Sequence, residues 1–132
     1  MSVARTLIVV VDDEPDVRDL ICHLLEDEGY GVLCLSHPVP ATRLRERQER
    51  PSLFLLDIML PDMNGIALAG RLADDGFADI PKIAMSASPR MLQVAEESRL
   101  FDTFLSKPFD IGVLLDRVEA CLAGPGGASS PA

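Results

Sequence analysis

Short apolar runs alternate with amphipathic segments along the chain, and this alternation leaves few fold classes open. The first run, at residues 6–11, reads TLIVVV and is apolar at successive positions, as expected for a strand buried on both faces. Strands are also predicted at residues 31–35, 53–56, 81–85 and 103–105. Strands that alternate with helices through short loops indicate a parallel sheet covered on both faces, so we predict a single doubly wound α/β domain.

Proline, glycine and capping residues predict where the helices begin and end. The first helix is expected to begin at Pro15, with Asp13 or Glu14 as its cap, and to end at Gly29. Val17, Leu20, Ile21, Leu24 and Leu25 repeat at helical spacing and form its apolar stripe. The other helices are predicted between Pro38 and Pro51 (with Leu44 as the main apolar anchor), after Asn64-Gly65, from Pro89, and from Ile111 to Leu122.

The length of 132 residues is that of one compact domain. We assign residues 1–122 to this domain and residues 123–132, which are rich in Gly, Pro and Ser, to a flexible tail or linker remnant. Apolar runs stay well below the ~18 residues of a membrane span, and the N-terminal segment lacks the features of a signal peptide. The expected location is the cytoplasm, without membrane contact.

The net charge of −9 argues against a nucleic-acid-binding surface. The most basic segment, RLRERQER at residues 43–50, mixes arginines with Glu46 and Glu49 and is interpreted as a solvated helix face. We therefore expect no direct binding of DNA or RNA by this chain.

Three cysteines, Cys22, Cys34 and Cys121, are widely spaced. Their odd number and the lack of CxxC spacing argue against a disulfide framework and a zinc site. Cys34 and Cys121 are interpreted as small buried hydrophobic residues. His23 and His37 are interpreted as surface residues and not as phosphorylated histidines.

Polar side chains follow four of the predicted strands at the point where each strand ends. Asp12 and Asp13 follow the first strand, Asp57 the third, Ser86 the fourth and Lys107 the fifth. Ligands of open α/β sheets bind outside the carboxyl ends of the strands, so these side chains are expected to form one site. The three carboxylates outweigh one ammonium, which would raise the pKa of at least one carboxyl group and favours a bound Mg²⁺. Such a site suits phosphoryl transfer, with Asp57 as the nucleophile and the lysine and serine stabilising charge.

Four segments of the chain resemble the receiver domain of two-component response regulators, including chemotaxis regulators. They read VVVDDEPDVRDLI, LFLLDIMLPDMNGIAL, IPKIAMSAS and FLSKPF, and the resemblance covers about residues 5–122. It implies a flavodoxin-like fold with five helices around a five-stranded sheet of order 2-1-3-4-5. It also implies a cis peptide bond between Lys107 and Pro108.

The resemblance implies a role for each residue of the acidic site. Asp57 would accept a phosphoryl group from a histidine on a partner kinase or histidine phosphotransfer protein. Mg²⁺, or Mn²⁺ in its place, would be bound by Asp13, Asp57 and the backbone carbonyl of Met59. Asp12 would act mostly through a metal-bound water.

The resemblance also implies a surface switch. Lys107 would pair with Asp57 and then with the phosphoryl group, and Ser86 would move to hydrogen-bond a phosphoryl oxygen. Phe104 stands at the aromatic switch position, where an inward swing remodels the face formed by helix four, strand five and helix five. We expect a downstream protein target or a homodimer to use this face near Phe104 and Phe109. Position 86 commonly carries threonine in this family and position 104 tyrosine.

The resulting hypothesis is a signalling domain that catalyses its own phosphorylation and dephosphorylation but is not a turnover enzyme. One alternative is an aspartate-nucleophile phosphohydrolase, although such enzymes place DxD after the first strand and usually add a cap domain. Another is a degenerate receiver that acts only as a binding module. A flavin-binding module is rejected because acids occupy the loop that would have to cradle a phosphate.

Overall fold

Five parallel strands form one sheet, and helices cover both of its faces. The structure, a computed structural model, describes residues 6–47 and 50–128, with the backbone alone over residues 125–128. The strands are β1 (Leu7–Val11), β2 (Gly31–Leu35), β3 (Leu53–Asp57), β4 (Lys82–Ser86) and β5 (Thr103–Ser106). The helices are α1 (Pro15–Asp27), α2 (Pro38–Ala41), α3 (Gly65–Leu72), α4 (Pro89–Ser98) and α5 (Ile111–Ala128).

The strand order is β2-β1-β3-β4-β5, which confirms the predicted topology. Every pair of neighbouring strands is parallel, and Val10 of β1 lies between Cys34 of β2 and Leu55 of β3. All five residues of β3 are buried, as the continuous apolar run predicts for a strand covered on both faces.

The two faces of the sheet carry separate apolar cores. Ile8 and Val10 point to one face, where they pack with residues of α1 and α5 that include Leu25 and Leu114. Val9 and Val11 point to the other face, where they pack with Leu68, Leu72 and other residues from α2 and α3. This alternation holds each strand firmly, and it fixes the positions of the residues at the strand ends.

The prediction of one long helix between Pro38 and Pro51 is wrong. The structure has the four-residue α2 followed by a 3₁₀ turn at Leu44–Glu46, and residues 48–49 lie outside the described part. Leu44 is buried, as predicted for the anchor of this segment. One anchor and Ala41 are too little apolar surface to stabilise a long helix against the sheet, so the solvated arginines lie on a turn instead.

The last helix extends past residue 122, where the domain was predicted to end. Its backbone is described to Ala128, with a break in the helical conformation at Gly124, where φ is 76° and ψ is 174°. The assignment of residues 123–132 to a flexible tail stays a prediction, and residues 129–132 lie outside the described part. Within the described ranges, the search for a helix long and apolar enough to cross a bilayer finds none.

Cys22 and Cys34 form a disulfide, which corrects two predictions about the cysteines. The chain was expected to lack a disulfide and Cys34 to be buried, but the sulfur atoms are bonded and Cys34 is exposed. The β1–α1–β2 crossover lays α1 over the face to which Cys34 points, and the two Cα atoms come within 6.4 Å. Cys121 is a free, half-buried thiol that packs against the core beneath α5.

Candidate functional site

The strand ends bring the predicted site residues to one edge of the sheet. Asp12 follows β1, Asp57 and Ser86 end β3 and β4, and Lys107 follows β5. The side chains of Asp12, Asp57 and Ser86 are almost completely buried, whereas Asp13 is exposed. One carboxylate oxygen from each of the three aspartates lies within 4.8 Å of the others. The structure therefore has a compact acidic cluster at the carboxyl edge, with one open side.

Lys107 is the cation of this cluster. Its Nζ donates to Oδ2 of Asp12 at 2.8 Å and to Oδ2 of Asp57 at 3.2 Å. Burial disfavours the charged ammonium, but the hydrogen bonds and the carboxylate charges outweigh burial and raise the pKa of Lys107. Lys107 therefore stays protonated and is shared between two buried carboxylates.

Glu14 also binds Lys107, which corrects its predicted role as a helix cap. Glu14 occupies the N-cap position of α1, but its side chain makes no hydrogen bond there to the described backbone. Its Oε1 instead accepts from Lys107 Nζ at 2.9 Å, and its backbone N–H donates to Oδ1 of Asp12 at 2.9 Å. The ammonium of Lys107 is a stronger partner for a carboxylate than the neutral amides of a helix end. Helix capping was therefore the weaker of two competing interactions.

Asp57 has an unusual acidity for a carboxyl group. Burial and the neighbouring charge of Asp12 raise its pKa from 3.8 to about 6, and Lys107 and the Met59 N–H oppose this rise. The Met59 N–H donates to Oδ1 of Asp57 at 3.1 Å, while the Met59 side chain is 59 % exposed. Burial is the larger cause of the rise, and the excess of carboxylates over cations in the cluster adds to it.

The cluster has the chemistry of a magnesium site. Its donors are carboxylate oxygens, which a hard divalent cation prefers. The single ammonium of Lys107 does not neutralise the charge of the three carboxylates. Asp12, Asp13 and Asp57 are the described residues that would hold the ion, and the exposed Asp13 lies on the side open to solvent. A bound Mg²⁺ would neutralise charge on the carboxylates and on an incoming anionic group.

Ser86 and Phe104 both lie close to α4. The hydroxyl oxygen of Ser86 accepts from the Ser88 N–H at 3.0 Å, close to the start of α4. Phe104 is half-buried and packs near Phe101, with 6.5 Å between the ring centroids. The small apolar core that Phe104 borders includes Ala84 of β4 and Ala95 of α4.

His37 has a partner that the sequence did not reveal. Its Nε2 lies 2.8 Å from Oδ2 of Asp62, so the loop after β2 is joined to the loop after β3. Because Nδ1 of His37 accepts from the Val39 N–H, Nε2 carries the proton and donates to Asp62. Asn64 caps α3, since its Oδ1 accepts from the Ala67 N–H in the first turn of that helix. His23 is an exposed residue near Asp27.

Gly65, which the sequence marks only as a residue just before a predicted helix, is a structural residue of the site. A Cβ atom added there would overlap the backbone carbonyl oxygen of Asp57 and would lie 2.9 Å from the Cα of Ile58. The Gly65 N–H also donates to the Ile58 carbonyl at 2.9 Å. Glycine is therefore required by the close approach of α3 to the backbone that carries Asp57. An Asn-Gly pair directly before a helix, soon after a functional strand end, is the signal that could have indicated it.

The doubly wound sheet, with an acidic cluster at its carboxyl edge that could hold a metal ion, defines a flavodoxin-like domain. Residues 8–119 match the family model for the response regulator receiver domain. The chain therefore belongs to the receiver domain family of two-component response regulators. Receiver domains are signalling domains that interact with histidine kinases and bind Mg²⁺ in an acidic site.

Curated relatives agree with this family. An uncharacterised 14.6 kDa protein of Leptolyngbya boryana is 38% identical, and the alignment covers 94% of this chain and 96% of that protein. The phosphate regulon transcriptional regulatory protein PhoB of Pseudomonas aeruginosa is 36% identical, over 94% of this chain and 56% of its own length. The chain thus spans about half the length of several regulators that it matches, including the DNA-binding regulator RpaA of Synechocystis.

Solved structures share the fold. A CheY-like receiver domain protein from Methanospirillum hungatei superposes with a TM-score of 0.81 at 27% identity, over 90% of this chain and 94% of that one. The receiver domain of the sensor histidine kinase PA1611 from Pseudomonas aeruginosa superposes with a TM-score of 0.77 at 26% identity, over 92% and 100% of the two chains. That receiver domain has a magnesium ion coordinated in its active site cleft.

Proposed function

We propose that this chain accepts a phosphoryl group on Asp57 and passes on a signal through a change at its surface. The observation that carries the proposal is the setting of the Asp57 carboxylate. Its side chain is almost fully buried, its Oδ2 is 3.2 Å from Lys107 Nζ, and its oxygen lies within 4.8 Å of those of Asp12 and Asp13. A nucleophile held rigidly beside a cation and a metal site is suited to phosphoryl transfer.

In the proposed reaction, a carboxylate oxygen of Asp57 attacks phosphorus, and the bond from phosphorus to the donor atom breaks. The donor is a phosphohistidine of a histidine kinase or of a histidine phosphotransfer protein, or a small molecule such as acetyl phosphate. Lys107 stays protonated and neutralises charge on the phosphoryl oxygens, and the Ser86 hydroxyl donates a hydrogen bond to one of them. Water later cleaves the acyl phosphate and returns Asp57 as a carboxylate.

The metal requirement is part of the proposal. We assign Asp13, Asp57 and the backbone carbonyl of Met59 as Mg²⁺ ligands, with Asp12 acting through a metal-bound water. Mn²⁺ is proposed as a substitute, because it also prefers carboxylate, carbonyl and water ligands. The residues that assist transfer all belong to this chain, so the domain catalyses its own phosphorylation and dephosphorylation.

The proposed output surface is the face formed by α4, β5 and α5. Phe104 and Phe109 on this face are half-buried and lie near the Ser86 and Lys107 ends of the site. A hydroxyl drawn toward the phosphoryl group would vacate space for Phe104 to turn inward. A downstream protein or a second copy would bind the altered face. We place this activity in the cytoplasm, with no direct contact of this chain with nucleic acid or membrane.

Intact mass spectrometry tests the proposal directly. The purified protein is incubated with acetyl phosphate or phosphoramidate in Mg²⁺, in Mn²⁺ and in EDTA. We expect one phosphoryl adduct with either metal, none in EDTA and none for Asp57→Asn. Asp62→Asn is the matched control, because it changes an exposed carboxylate of the same loop, and it should be labelled like the unaltered protein. Equal labelling of Asp57→Asn would contradict the proposal, and sustained hydrolysis of a phosphomonoester would favour a phosphohydrolase.

Amide exchange tests the output surface. Phosphorylation should change exchange in α4, β5 and the start of α5, and Phe104→Ala should remove that change while leaving phosphorylation intact. Val39→Ala is a control on a distant exposed apolar residue of α2. Unchanged exchange and unchanged sedimentation after complete phosphorylation would contradict the assigned face.

A further inference from the structure

The disulfide between Cys22 and Cys34 joins two elements that both hold the backbone of Asp12. Cys22 lies on the buried side of α1 and is 6 % exposed, while Cys34 lies on β2, the edge strand next to β1. Their Cα atoms are 6.4 Å apart and the bond closes a loop across a sequence separation of 12 residues. The bond is therefore a short crosslink between a helix and the edge of the sheet.

Both of the crosslinked elements contact the peptide units of Asp12. The Asp12 N–H donates to the carbonyl of Leu35, the residue after Cys34 at the end of β2, at 3.0 Å. The Asp12 carbonyl accepts from Nη1 of Arg18, which lies on α1 one turn before Cys22, at 3.2 Å. A covalent link between α1 and β2 therefore closes a ring of contacts around the residue that binds Lys107.

Access to the two sulfur atoms is unequal. Cys34 is exposed on an edge strand, whereas Cys22 is packed among the apolar residues of the core under α1. An external thiol or disulfide therefore reaches Cys34 first, and Cys22 is positioned as the internal partner that completes the exchange. Cys121 lies on α5 in a partly buried position, and burial raises the pKa of its thiol, which disfavours the reactive thiolate.

We propose that Cys22 and Cys34 form a reversible thiol–disulfide pair whose oxidation fastens α1 to β2 and makes the Asp12 end of β1 more resistant to opening. Disulfides are rare in reducing compartments, and those that form there are usually transient or redox-sensing. An exposed cysteine next to a resolving partner is an arrangement often found in redox-sensing cysteines, and Cys34 and Cys22 have it. The proposal adds a redox input that is independent of phosphorylation.

The oxidant is a low-molecular-weight disulfide of the oxidised glutathione type. The Cys34 thiolate attacks one sulfur of that disulfide, forms a mixed disulfide and releases one thiol. The Cys22 thiolate then attacks the Cys34 sulfur and releases the second thiol. The protein loses two electrons and two protons, and the external disulfide gains them as two thiols. Reduction is the reverse sequence and begins at Cys34.

Counting the free thiols of protein that has been equilibrated in its native state tests whether the disulfide forms and breaks reversibly. The full chain is equilibrated in buffers of different ratios of reduced to oxidised glutathione, alkylated with N-ethylmaleimide under acid-quenched unfolding conditions, and weighed. We expect three adducts under reducing conditions and one, on Cys121, under oxidising conditions, with full return in either direction. Cys34→Ser should give two adducts in every buffer, and Cys121→Ser should alternate between two and none. A native protein that keeps three adducts in excess oxidised glutathione, or one in excess dithiothreitol, would overturn the proposal.

Amide exchange of Asp12, compared between the oxidised and reduced protein, tests whether the disulfide makes this end of β1 more resistant to opening. Oxidised protein should exchange the Asp12 N–H about tenfold or more slowly than reduced protein, because opening of β2 must break its bond to Leu35. The melting temperature should rise by on the order of 10 °C on oxidation. Cys121→Ser should keep both differences and Cys34→Ser should lose both. Equal exchange of the Asp12 amide in the two redox forms would overturn the assigned effect on the site.

Discussion

The two lysines of this chain lie at opposite edges of the sheet and meet opposite environments. At the amino edge, Lys82 is 2 % exposed, and its Nζ donates to the carbonyls of Phe77 and Ile80 at 2.7 and 2.9 Å. At the carboxyl edge, Lys107 Nζ donates to carboxylates. Burial lowers the pKa of Lys82, whereas carboxylate partners overcome burial and raise that of Lys107.

The difference shows that Lys82 has a structural role, whereas Lys107 belongs to a charged site that is suited to binding a ligand. Lys82 satisfies neutral carbonyl groups next to the ring of Phe54 and thereby closes the turn between α3 and β4. Lys107 does not neutralise all the negative charge around it, and burial together with the charge of Asp12 raises the pKa of Asp57 to about 6. At the amino edge, the Lys82 ammonium has two carbonyl acceptors. At the carboxyl edge, the three carboxylates carry more charge than the Lys107 ammonium neutralises, and a bound cation can relieve this imbalance.

The largest expected effect comes from Lys107→Ala. Loss of the ammonium removes the fixed positive charge beside the attacked phosphorus, so Mg²⁺-dependent labelling by acetyl phosphate should slow by about 10²–10³-fold. The labelling rate of folded protein, followed by intact mass, measures this. A rate within twofold of the unaltered protein would show that the two edges do not differ as described.

Lys82→Ala should give the complementary result. It leaves a cavity and two buried carbonyl acceptors without their donor, so the free energy of unfolding should fall by about 2–4 kcal/mol. Phosphorylation of the folded fraction should remain unchanged, because the side chain is at the opposite edge. Urea unfolding and acetyl phosphate labelling below the transition separate the two readouts. Loss of labelling without loss of stability would contradict this assignment.

Gly65→Ala tests how tightly the carboxyl edge is packed. The new methyl group must push α3 away from the Asp57 carbonyl, at a cost of about 1–3 kcal/mol, and labelling should slow with it. Gly70→Ala is the matched control in the same helix, because its Cβ would meet Leu100 Cδ1 at 3.8 Å, an ordinary contact. That control should leave stability unchanged or raise it by about 0.5–1 kcal/mol. Equal effects of the two substitutions would argue against close approach at Gly65.

The acidity of Asp57 gives the smallest of these effects on stability. Its pKa is about 6 in the folded chain against an ordinary value of 3.8, so the folded state binds more protons between these values. The free energy of unfolding should therefore fall as pH rises from about 4 to 6 in metal-free protein. Asp57→Asn should flatten this slope and stabilise the protein at neutral pH, because the neutral amide removes a buried charge and its repulsion with Asp12. The loss of one partner of Lys107 opposes this gain, so the net stabilisation should be on the order of 1 kcal/mol.

Carbon-detected NMR of the Asp57 carboxyl checks this titration. A midpoint near 6 is expected without metal, and Mg²⁺ should move it to lower pH because the cation favours the carboxylate. A midpoint near the ordinary value without metal would contradict the charge imbalance at the carboxyl edge.

The strand ends were predictable because buried parallel strands have a simple sequence pattern. A continuous apolar run such as residues 53–56 fits a strand covered on both faces, and the acid after it must lie at the carboxyl edge. The convergence of Asp12, Asp57 and Lys107 follows from topology alone, since each strand end is fixed by the sheet.

The remaining features depend on contacts that the local sequence pattern does not specify. Glu14 fits a helix cap locally, and only the folded chain brings Lys107, 93 residues away, to its carboxylate. Cys22 and Cys34 were predictable in principle, because a right-handed crossover lays α1 on the strand that follows it and Cys34 shares the face of Val32. The requirement for glycine at position 65 depends on the distance between α3 and the end of β3, and the Asn-Gly pair in the sequence does not predict that distance.

Chemical mapping of the phosphoryl group tests the role of Asp57 most directly. The protein is phosphorylated with acetyl phosphate in Mg²⁺, and borohydride then reduces the acyl phosphate to an alcohol, which converts the modified aspartate to homoserine. Tandem mass spectrometry locates the homoserine in the peptide that spans β3. We predict homoserine at position 57 and unmodified aspartate at positions 12 and 13. Homoserine at position 12 or 13, or its absence from a fully phosphorylated protein, would contradict the assignment of Asp57 as the phosphoryl acceptor.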